Sequence, residues 1–373
     1  MKIDNNRLKS AERLYGRSMF ETREWSTEDI NTLLEIANIL ENLDKHGKSI
    51  KLLDNKLMLA LFFDKSTRTK TSWAGASVRI GGTPIIIDGS TTQVSHGETA
   101  EETGTMIGMN AHALGIRHDL IIGEGNRFIR DAHKGITDYL KKSGENRHVA
   151  LINLQCDIDH PTQTLSDLCK LKETFPSLDG IKIAVSWAYS PSYAKPLSVP
   201  QGLITLLPRF GMDVVLAHPP EYRLMDSCIR YAKKAAKEGS GTFTIVDNME
   251  DAFKDADVVY AKSWGAYDIM LERIEANKNK DTKLMEEIEK KMLALNSRYK
   301  NWICSEKLMS KANNAIYMHC LPADIGYEVE PSVFNKYRQF MAEQANKKTY
   351  IIAALLATSL ADNFYEKIGK IIK

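Results

Sequence analysis

Short apolar runs of strand length alternate with helix-like stretches along most of this chain, and this alternation limits the possible fold more than any other feature. Four runs precede residue 160 and five follow residue 180, at 57–63, 84–87, 113–117, 149–154, 181–187, 214–217, 243–246, 258–260 and 316–318. Strands that alternate with helices form parallel sheets. The pattern predicts an α/β protein with two doubly wound parallel-sheet domains joined by helices.

Helical segments mark where the two domains meet. Residues 161–174 begin with proline and place leucines at 165, 168 and 171, which predicts a helix between the domains. We predict a first domain over 1–160 and a second over 161–348. The segment 350–364 is apolar on nearly every face, so a last helix at about 349–373 is expected to pack back on the first domain. Ser26 and Asp29 form a capping-box pattern that predicts the start of an N-terminal helix.

Composition excludes several classes of protein. The 373 residues, 43% hydrophobic and 26% charged, suffice for two ordinary cores, and a net charge of +2 gives no support for a nucleic-acid partner. The polar N-terminus and the lack of an 18-residue apolar run predict a cytoplasmic protein with no membrane partner. Five cysteines without a CxxC pair predict reduced thiols, and no metal or other cofactor is expected.

The first motif that carries chemistry follows the strand predicted at 57–63. Ser66, Thr67, Arg68 and Thr69 stand where this strand gives way to helical sequence. Hydroxyls, free backbone N–H groups and a guanidinium at a helix N-terminus form an anion site suited to phosphate. The simpler alternative is a helix cap with a surface arginine. Neither GxxxxGK[ST] nor GxGxxG occurs, so nucleotide folds have no support.

Two further motifs also follow predicted strands. His160 and Gln163 lie one turn apart at the start of the joining helix, within His-Pro-Thr-Gln. Side chains at the carboxyl ends of parallel strands face the crevice where ligands bind. His160 alone would more often be a structural cap. Cys320, within His-Cys-Leu-Pro, could be a nucleophile, but no protease-type His/Asn arrangement supports that role.

The ordered triple of STRT, HPTQ and HCLP resembles the aspartate/ornithine carbamoyltransferase family. Any one motif is weak, whereas the ordered set is very specific. Further segments have counterparts in that family and extend the resemblance from about residue 57 to the last helix, namely Thr91-Thr92-Gln93, His96-Gly97-Glu98-Thr99, Ile116-Arg117 and Phe210-Gly211-Met212. The resemblance implies carbamoyl transfer from carbamoyl phosphate to a small amine acceptor, by a homotrimer with shared active sites.

The same resemblance implies roles for individual residues. The STRT segment, residues 66–69, would grip the phosphate of carbamoyl phosphate. Thr69, Arg117 and His160 would polarise the carbamoyl carbonyl. The carbamoyl NH2 group would be held by Gln163 and by the backbone carbonyls of Cys320 and Leu321. Gln93 matches a loop that reaches into the neighbouring subunit's site, and the family's arginine before the last helix corresponds to Lys347.

The acceptor side departs from the ornithine enzymes. Their acidic loop, which binds the acceptor's α-amino group, corresponds here to Lys262, Ser263 and Trp264, and HCLP is followed by Ala323-Asp324 instead of a basic residue. The proline-rich stretch 189–200, with Tyr193 and Lys195, looks like the loop of the knotted carbamoyltransferases of acetylornithine and succinylornithine. The YgeW-type members look closest. The resemblance thereby implies a trefoil knot in the second domain.

The residues expected to line the acceptor site are cationic or aromatic for the most part, and such a lining should repel an ammonium and attract a carboxylate. They are Lys262, Ser263, Trp264, Tyr193, Lys195 and Leu321. We therefore expect an acceptor that bears a carboxylate and has a blocked or absent α-amino group, such as an acylated or ureido-substituted diamino acid. The reaction could run in the catabolic direction. The alternatives are an anabolic N-acylornithine or ornithine carbamoyltransferase, and a non-catalytic family member that binds an anion. The alternative for Lys262 itself is that it merely caps a strand and points to solvent.

Overall fold

The first sheet contains four parallel strands and provides one wall of the site. The computed structural model describes residues 5–193 and 195–372. The strands occur in the order β2-β1-β3-β4 and comprise β1 (Leu57–Phe62), β2 (Thr83–Asp88), β3 (Ala113–His118) and β4 (Ala150–Cys156). All four predicted strands of the first series are present.

The second sheet is also parallel and contains the second predicted series. Its order is β7-β6-β5-β8-β9, with β5 (Lys182–Trp187), β6 (Asp213–Ala217), β7 (Thr242–Val246), β8 (Val258–Lys262) and β9 (Ile316–Tyr317). The two sheets confirm the α/β class with two parallel-sheet domains. The knot and the boundaries 1–160 and 161–348 stay predictions.

Helices cover both faces of the sheets. They are α1 (Asn5–Ser10), α2 (Thr27–Lys45), α3 (Arg68–Arg79), α4 (Ala100–Asn110), α5 (Gly125–Ser143), α6 (Pro161–Thr174), α7 (Ser198–Leu206), α8 (Asp226–Glu238), α9 (Met249–Phe253), α10 (Tyr267–Lys278), α11 (Thr282–Asn296), α12 (Glu306–Met309), α13 (Pro331–Leu360) and α14 (Phe364–Ile372). Along β1, Ala60 and Leu61 enter two separate apolar cores, one on each face. The sheet is therefore buried on both sides, as a doubly wound arrangement requires.

Two start signals read from the sequence are correct. The Ser26 hydroxyl accepts a hydrogen bond from the backbone N–H of Asp29 at 3.0 Å and caps α2. The joining helix α6 has the predicted bounds, with Pro161 in its first turn.

The end of the chain differs from the expectation of one helix over about 349–373. Helix α13 begins at Pro331, and it is separated from α14 by residues 361–363. The first half of α13 was missed because its sequence between 335 and 348 is polar and that half is largely exposed. The apolar second half is buried against α2, α3 and α6. No helix in the described part of the chain is long and apolar enough to cross a bilayer.

Candidate functional site

A cavity of about 220 Å³ lies where the carboxyl ends of both sheets meet, and the three sequence motifs converge on it. Its lining comprises Lys65, Ser66, Arg68, Thr69, Arg117, Gln155, His160, Gln163, Lys195, Pro196, Val199, Lys262, Cys320, Leu321, Pro322, Glu328 and Lys348. The crevice at the carboxyl ends of parallel strands is the usual ligand position in open α/β sheets. The lining contains five lysine or arginine side chains besides Lys65 but a single carboxylate, so the cavity suits an anion.

The turn between β1 and α3 supplies three of these groups. The Ser66 hydroxyl accepts a hydrogen bond from the backbone N–H of Thr69 at 3.2 Å, which fixes the turn at the N-terminus of α3. Ser66, Arg68 and Thr69 face the cavity, whereas Thr67 is exposed and does not line it. The free N–H groups of the helix terminus add to the attraction for an anion.

Arg68 connects the two domains directly. Its Nη2 donates a hydrogen bond to the backbone carbonyl of Leu321 at 2.5 Å, in the loop that follows β9. Leu321 has a positive φ of 56° and precedes a cis peptide bond to Pro322. The residues expected from STRT and HCLP thus meet across the crevice.

Gln163 presents a free carbonyl oxygen in this region. Its Nε2 donates a hydrogen bond to Asp167 Oδ1 at 2.7 Å, and its buried Oε1 has no hydrogen-bond partner among the described residues. Burying an acceptor without a partner is unfavourable. Gln163 therefore has an unused acceptor at the wall of the cavity.

His160 is a neutral imidazole at physiological pH. Burial lowers its pKa well below the usual value, and the cations of Lys348, Arg117 and Arg68 lower it further. Its Nδ1 lies 3.3 Å from the Thr162 hydroxyl, and its Nε2 lies 3.5 Å from Lys348 Nζ. The ring is thereby held at the cavity wall between α6 and α13.

The second domain contributes a carboxylate that sequence reasoning missed. Glu328 is fully buried and accepts hydrogen bonds from the backbone N–H groups of Ser263 at 2.6 Å and Asp324 at 2.7 Å. Burial alone would raise its pKa, but His319, Lys195 and Lys262 outweigh that effect and hold the pKa well below its usual range. Glu328 therefore stays charged and ties the loop after β9 to the end of β8.

Two of the residues expected on the acceptor side reach the cavity, besides Leu321. Lys262, at the end of β8, is buried and donates a hydrogen bond to the Ser263 carbonyl at 2.7 Å. Lys195 forms ion pairs with Asp324 at 2.6 Å and Glu328 at 3.1 Å, so its charge is already balanced. The structure contradicts the view that Lys262 points to solvent.

The expected aromatic lining is not brought to the cavity. Trp264 is 1% exposed and donates a hydrogen bond from its indole to the Tyr222 carbonyl within the core. Tyr193 packs against Arg273, whose guanidinium carbon lies 5.8 Å from the centre of the tyrosine ring. Ser263 is not among the residues that line the cavity. The expectation fails because Trp264 is buried in the core and Tyr193 packs against Arg273 instead of the cavity.

Lys347 was expected among the residues that bind carbamoyl phosphate, but the structure places it outside the cavity. Its Nζ contacts the carboxylates of Glu41 and Glu173 in a polar groove between α2, α6 and α13. Lys348, the next residue, lines the cavity instead. Lys347 and Lys348 are adjacent in α13, and a step of one residue along a helix rotates the side-chain direction by about 100°.

Gln93 lies outside the cavity formed within one chain. It is exposed in a short 3₁₀ turn, Gln93–His96, beyond the edge strand β2. A role in a site shared between subunits stays a prediction. No cluster of three metal-ligating side chains is found within residues 5–193 and 195–372.

The polar groove around Lys347 is larger, about 540 Å³, but it differs in chemistry from the cavity. Its lysines and glutamates are paired with one another, for example Lys45 with Glu41 at 2.7 Å and Lys170 with Glu343 at 2.6 Å. The lysine and glutamate charges of this surface groove are already balanced by one another. The smaller crevice cavity is the better candidate site.

Fold and cavity together define an α/β enzyme of two parallel-sheet domains with an anion-binding crevice between them. Residues 17–173 match the carbamoyl-P binding domain of the aspartate/ornithine carbamoyltransferases, and residues 195–359 match the Asp/Orn binding domain. YgeW of Escherichia coli (strain K12), a carbamoyltransferase-like protein, is 44% identical over 354 residues, which cover 92% of this chain and 89% of YgeW. The chain belongs to the aspartate/ornithine carbamoyltransferase family, as its motifs indicated.

More distant relatives have the same architecture. N-acetylornithine carbamoyltransferase of Xylella fastidiosa is 27% identical over 358 residues, covering 91% of this chain and 98% of the relative. The ornithine carbamoyltransferase structure from Pyrococcus furiosus has a TM-score of 0.74 and 26% identity, and covers 93% of this chain and 98% of that chain. Acetylornithine transcarbamylase complexed with acetylcitrulline has a TM-score of 0.76 at 24% identity, covers 93% of this chain and 100% of that chain, and supports the fold alone.

Proposed function

We propose that this protein transfers a carbamoyl group between carbamoyl phosphate and the amine of a carboxylate-bearing acceptor. The observation that carries the proposal is the convergence of STRT, HPTQ and HCLP side chains on one cavity that also contains Lys262. Membership of the carbamoyltransferase family supports the same reaction. A non-catalytic anion-binding protein would have no need for the unpartnered Gln163 carbonyl beside the anion site.

The donor would lie with its phosphate at the N-terminus of α3. Ser66, Arg68 and Thr69 would bind the phosphate there, with Thr67 contributing through its backbone. Arg117 and neutral His160 would polarise the carbamoyl carbonyl, together with the Thr69 hydroxyl. The Oε1 of Gln163 and the carbonyls of Cys320 and Leu321 would accept hydrogen bonds from the carbamoyl NH2 group, which has two protons to donate.

The reaction would be a direct acyl transfer. The neutral acceptor amine attacks the carbonyl carbon, a tetrahedral oxyanion forms, and the C–O bond to phosphate breaks. The departing phosphate takes the proton that the amine nitrogen loses. Preorganised donors on the oxyanion usually supply the largest part of such catalysis, and loss of one costs about 10²–10³ in rate. Holding both substrates in one crevice supplies much of the rest.

The acceptor's carboxylate would bind Lys262. The ammonium of Lys262 has backbone carbonyls as its hydrogen-bond partners, from Ser263 at 2.7 Å and Pro196 at 3.4 Å, whereas Lys195 is neutralised by Asp324 and Glu328. Lys262 is therefore the acceptor-side cation with charge left to balance. Among the described residues that line the cavity, Glu328 has the one carboxylate, and it already accepts from Ser263, Asp324 and Lys195. The described lining therefore leaves no unpaired anion for a free α-ammonium.

We further propose a cytoplasmic homotrimer in which Gln93 completes a neighbour's site. The edge strand β2 has Ile85 at 41% exposure, and Val78 on α3, the helix before it, is 59% exposed, so apolar surface is available on β2 and α3. A second copy of the chain packed there would cover both the sheet edge and this apolar surface. We also propose that this enzyme can run carbamoyl transfer in the catabolic direction, in which carbamoyl phosphate is the product.

A carbamoyl-transfer assay on an acceptor panel tests the proposal. Ornithine, 2,3-diaminopropionate, their N-acyl and ureido derivatives, and aspartate should be compared, with arsenolysis of the carbamoylated forms to cover the reverse direction. The blocked, carboxylate-bearing compounds should be preferred, and Arg68→Ala should abolish turnover and carbamoyl phosphate binding. Ornithine as the best acceptor would favour the anabolic alternative, and no turnover in either direction would favour the non-catalytic one.

Lys262→Ala tests the acceptor half separately. The loss of a charged hydrogen bond should raise the acceptor KM by about 10- to 100-fold, while the KM for carbamoyl phosphate stays within a few-fold of wild type. Lys254→Ala, on the surface after α9, is the matched control. An unchanged ranking of acceptors in Lys262→Ala would contradict the charge argument.

A further inference from the structure

Helix α13 carries two adjacent lysines in opposite environments. Lys347 is paired with two carboxylates, Glu41 and Glu173, which outweigh burial and raise its pKa. Lys348 is 2% exposed and lines the cavity between the domains. Neither the motifs nor the charge pattern of the sequence marks Lys348, because its neighbour is equally basic.

Lys348 has no counter-ion of its own. In the described part of the chain no carboxylate lies within ion-pairing distance of its Nζ, and the hydrogen-bond partner found there is His160 Nε2 at 3.5 Å. Arg68 on α3 and Arg117 on β3 line the same cavity. Both arginines are half-buried, and Arg117 is paired with Asp119 at 2.9 Å. A buried ammonium beside two such cations and without a carboxylate is unfavourable, because it must give up its hydration.

Of these three groups, only the lysine can relieve the repulsion by losing its proton, since arginine stays protonated in proteins. Burial lowers the pKa of Lys348 to about 7; Cys320 opposes this shift, Arg117 and Arg68 increase it, and Asp167 opposes it. Asp167 on α6 is already bound by Gln163, Gln344 and Tyr260. No carboxylate in the described part of the chain is thus left to pair with a protonated Lys348, and an anionic ligand in the cavity would supply that partner.

We propose that Lys348 takes up a proton from solvent when the donor's phosphate binds, and that its ammonium then contacts the bound donor. This inference rests on the proposed function for the identity of the anion. The amine gains one proton, the dianion gains one ionic partner, and no covalent bond between heavy atoms changes. Lys348 is thereby a binding group that becomes positively charged when the negatively charged phosphate is bound.

The other titratable groups around Lys348 do not replace it in this role. His160 stays neutral, because burial and the same three cations keep its pKa well below the usual value. Tyr260 on β8 is neutral as well, since burial and Asp167 raise its pKa. Burial also lowers the pKa of Lys262, but the carbonyls of Ser263 and Pro196 already accept hydrogen bonds from its Nζ.

Proton linkage predicts how affinity changes with pH. A group whose pKa rises on binding favours the complex at low pH, so affinity should be flat below about pH 7 and should fall by up to about tenfold per pH unit above it. Protonation of the phosphate itself, near pH 6, affects a lower range. The informative window is therefore pH 7 to 9.

Calorimetric titration with carbamoyl phosphate at pH 8, in Tris and in HEPES, measures the proton directly. Wild type should take up about one proton per site, seen as a difference in heat between buffers of different ionisation enthalpy. Lys348→Arg should bind without uptake and with an affinity that does not depend on pH between 7 and 9. Lys170→Arg, an ion-paired lysine on α6, should behave as wild type.

Binding by wild type without proton uptake would overturn the inference, as would uptake that persists in Lys348→Arg. Inorganic phosphate serves as a second probe that separates the two proposals. Proton-linked binding of phosphate without carbamoyl transfer would support the role of Lys348 and contradict the proposed function. If neither anion binds, both proposals are wrong. The wild-type measurement decides the matter even if Lys348→Arg does not fold.

Discussion

Gln163 depends on one hydrogen bond for the orientation of its amide. Asp167 accepts from Gln163 Nε2 at 2.7 Å and from Gln344 Nε2 at 2.6 Å, while the Tyr260 hydroxyl donates to its other oxygen at 3.2 Å. Burial raises the pKa of Asp167 to about 6, yet these donors keep it ionised at neutral pH. The carboxylate thus holds the amide nitrogen of Gln163 and leaves its carbonyl oxygen without a partner among the described residues.

Asp167→Asn should lower carbamoyl transfer by about 10- to 100-fold, because an asparagine cannot accept from both glutamines and from the tyrosine. The effect should be non-additive: Asp167→Asn with Gln163→Ala should be no slower than Gln163→Ala alone. Steady-state kinetics of the two single variants and the double variant provide the check. Asp268→Asn on the surface of α10 is the control, and additive losses would show that Asp167 acts independently of Gln163.

At the scale of elements, glycines allow two helices of the first domain to pack unusually closely. A Cβ on Gly104 of α4 would lie 2.1 Å from the carbonyl oxygen of Ala132, and one on Gly135 of α5 would lie 2.1 Å from that of Glu101. These atoms belong to backbone and cannot rotate away. The two glycines therefore fix the distance between α4 and α5, and with it the face of the sheet opposite α3.

Gly104→Ala should lower the free energy of unfolding by about 1–3 kcal/mol or more through overpacking. Gly369→Ala in α14 is the matched control, because no atom lies within 4 Å of its Cβ position and alanine favours a helix by up to about 1 kcal/mol. Thermal denaturation at one protein concentration compares them. Equal melting temperatures for the two variants would contradict the close packing of α4 and α5.

Over the whole molecule, the site exists only where the two domains meet. Arg68 at the start of α3, Arg117 on β3 and His160 before α6 line the cavity on the side of the first sheet. Lys262 at the end of β8 and the loop from Cys320 to Pro322 line it on the side of the second sheet. The hydrogen bond from Arg68 to the Leu321 carbonyl crosses between them. Donor and acceptor would thereby be held by different domains, and the proposed trimer would add a third contribution through Gln93.

Mixing two inactive variants tests the shared site. Gln93→Ala should damage the neighbouring subunit's site, and Arg68→Ala should damage its own. After subunit exchange each hybrid trimer should contain one intact site of its three. In an equal mixture, intact sites should then make up about one quarter of all sites. Recovery of roughly that share of wild-type activity is the expected result. No recovery after exchange has been demonstrated by mass spectrometry would place each site within one chain.

The sequence by itself determined the fold class and most of the cavity lining on the side of the first sheet. Strand and helix periodicity reports burial directly, so the nine strands and helix α6 were predictable. The anion-binding residues follow strands and begin helices, and such positions converge in any parallel sheet. Ser66, Arg68, Arg117, His160 and Gln163 therefore reach the cavity as expected.

Only the tertiary structure decided which of two adjacent lysines lines the cavity and which of the residues expected on the acceptor side reach it. Lys347 and Lys348 have equal charge and adjacent positions, and the rotation of α13 against α2 and α6 sends one to Glu41 and Glu173 and the other to the cavity. In the same way, the turn after β8 buries Trp264, and Glu328 approaches the site from a distant loop. Such choices depend on packing between elements far apart in the chain, which local sequence patterns do not encode.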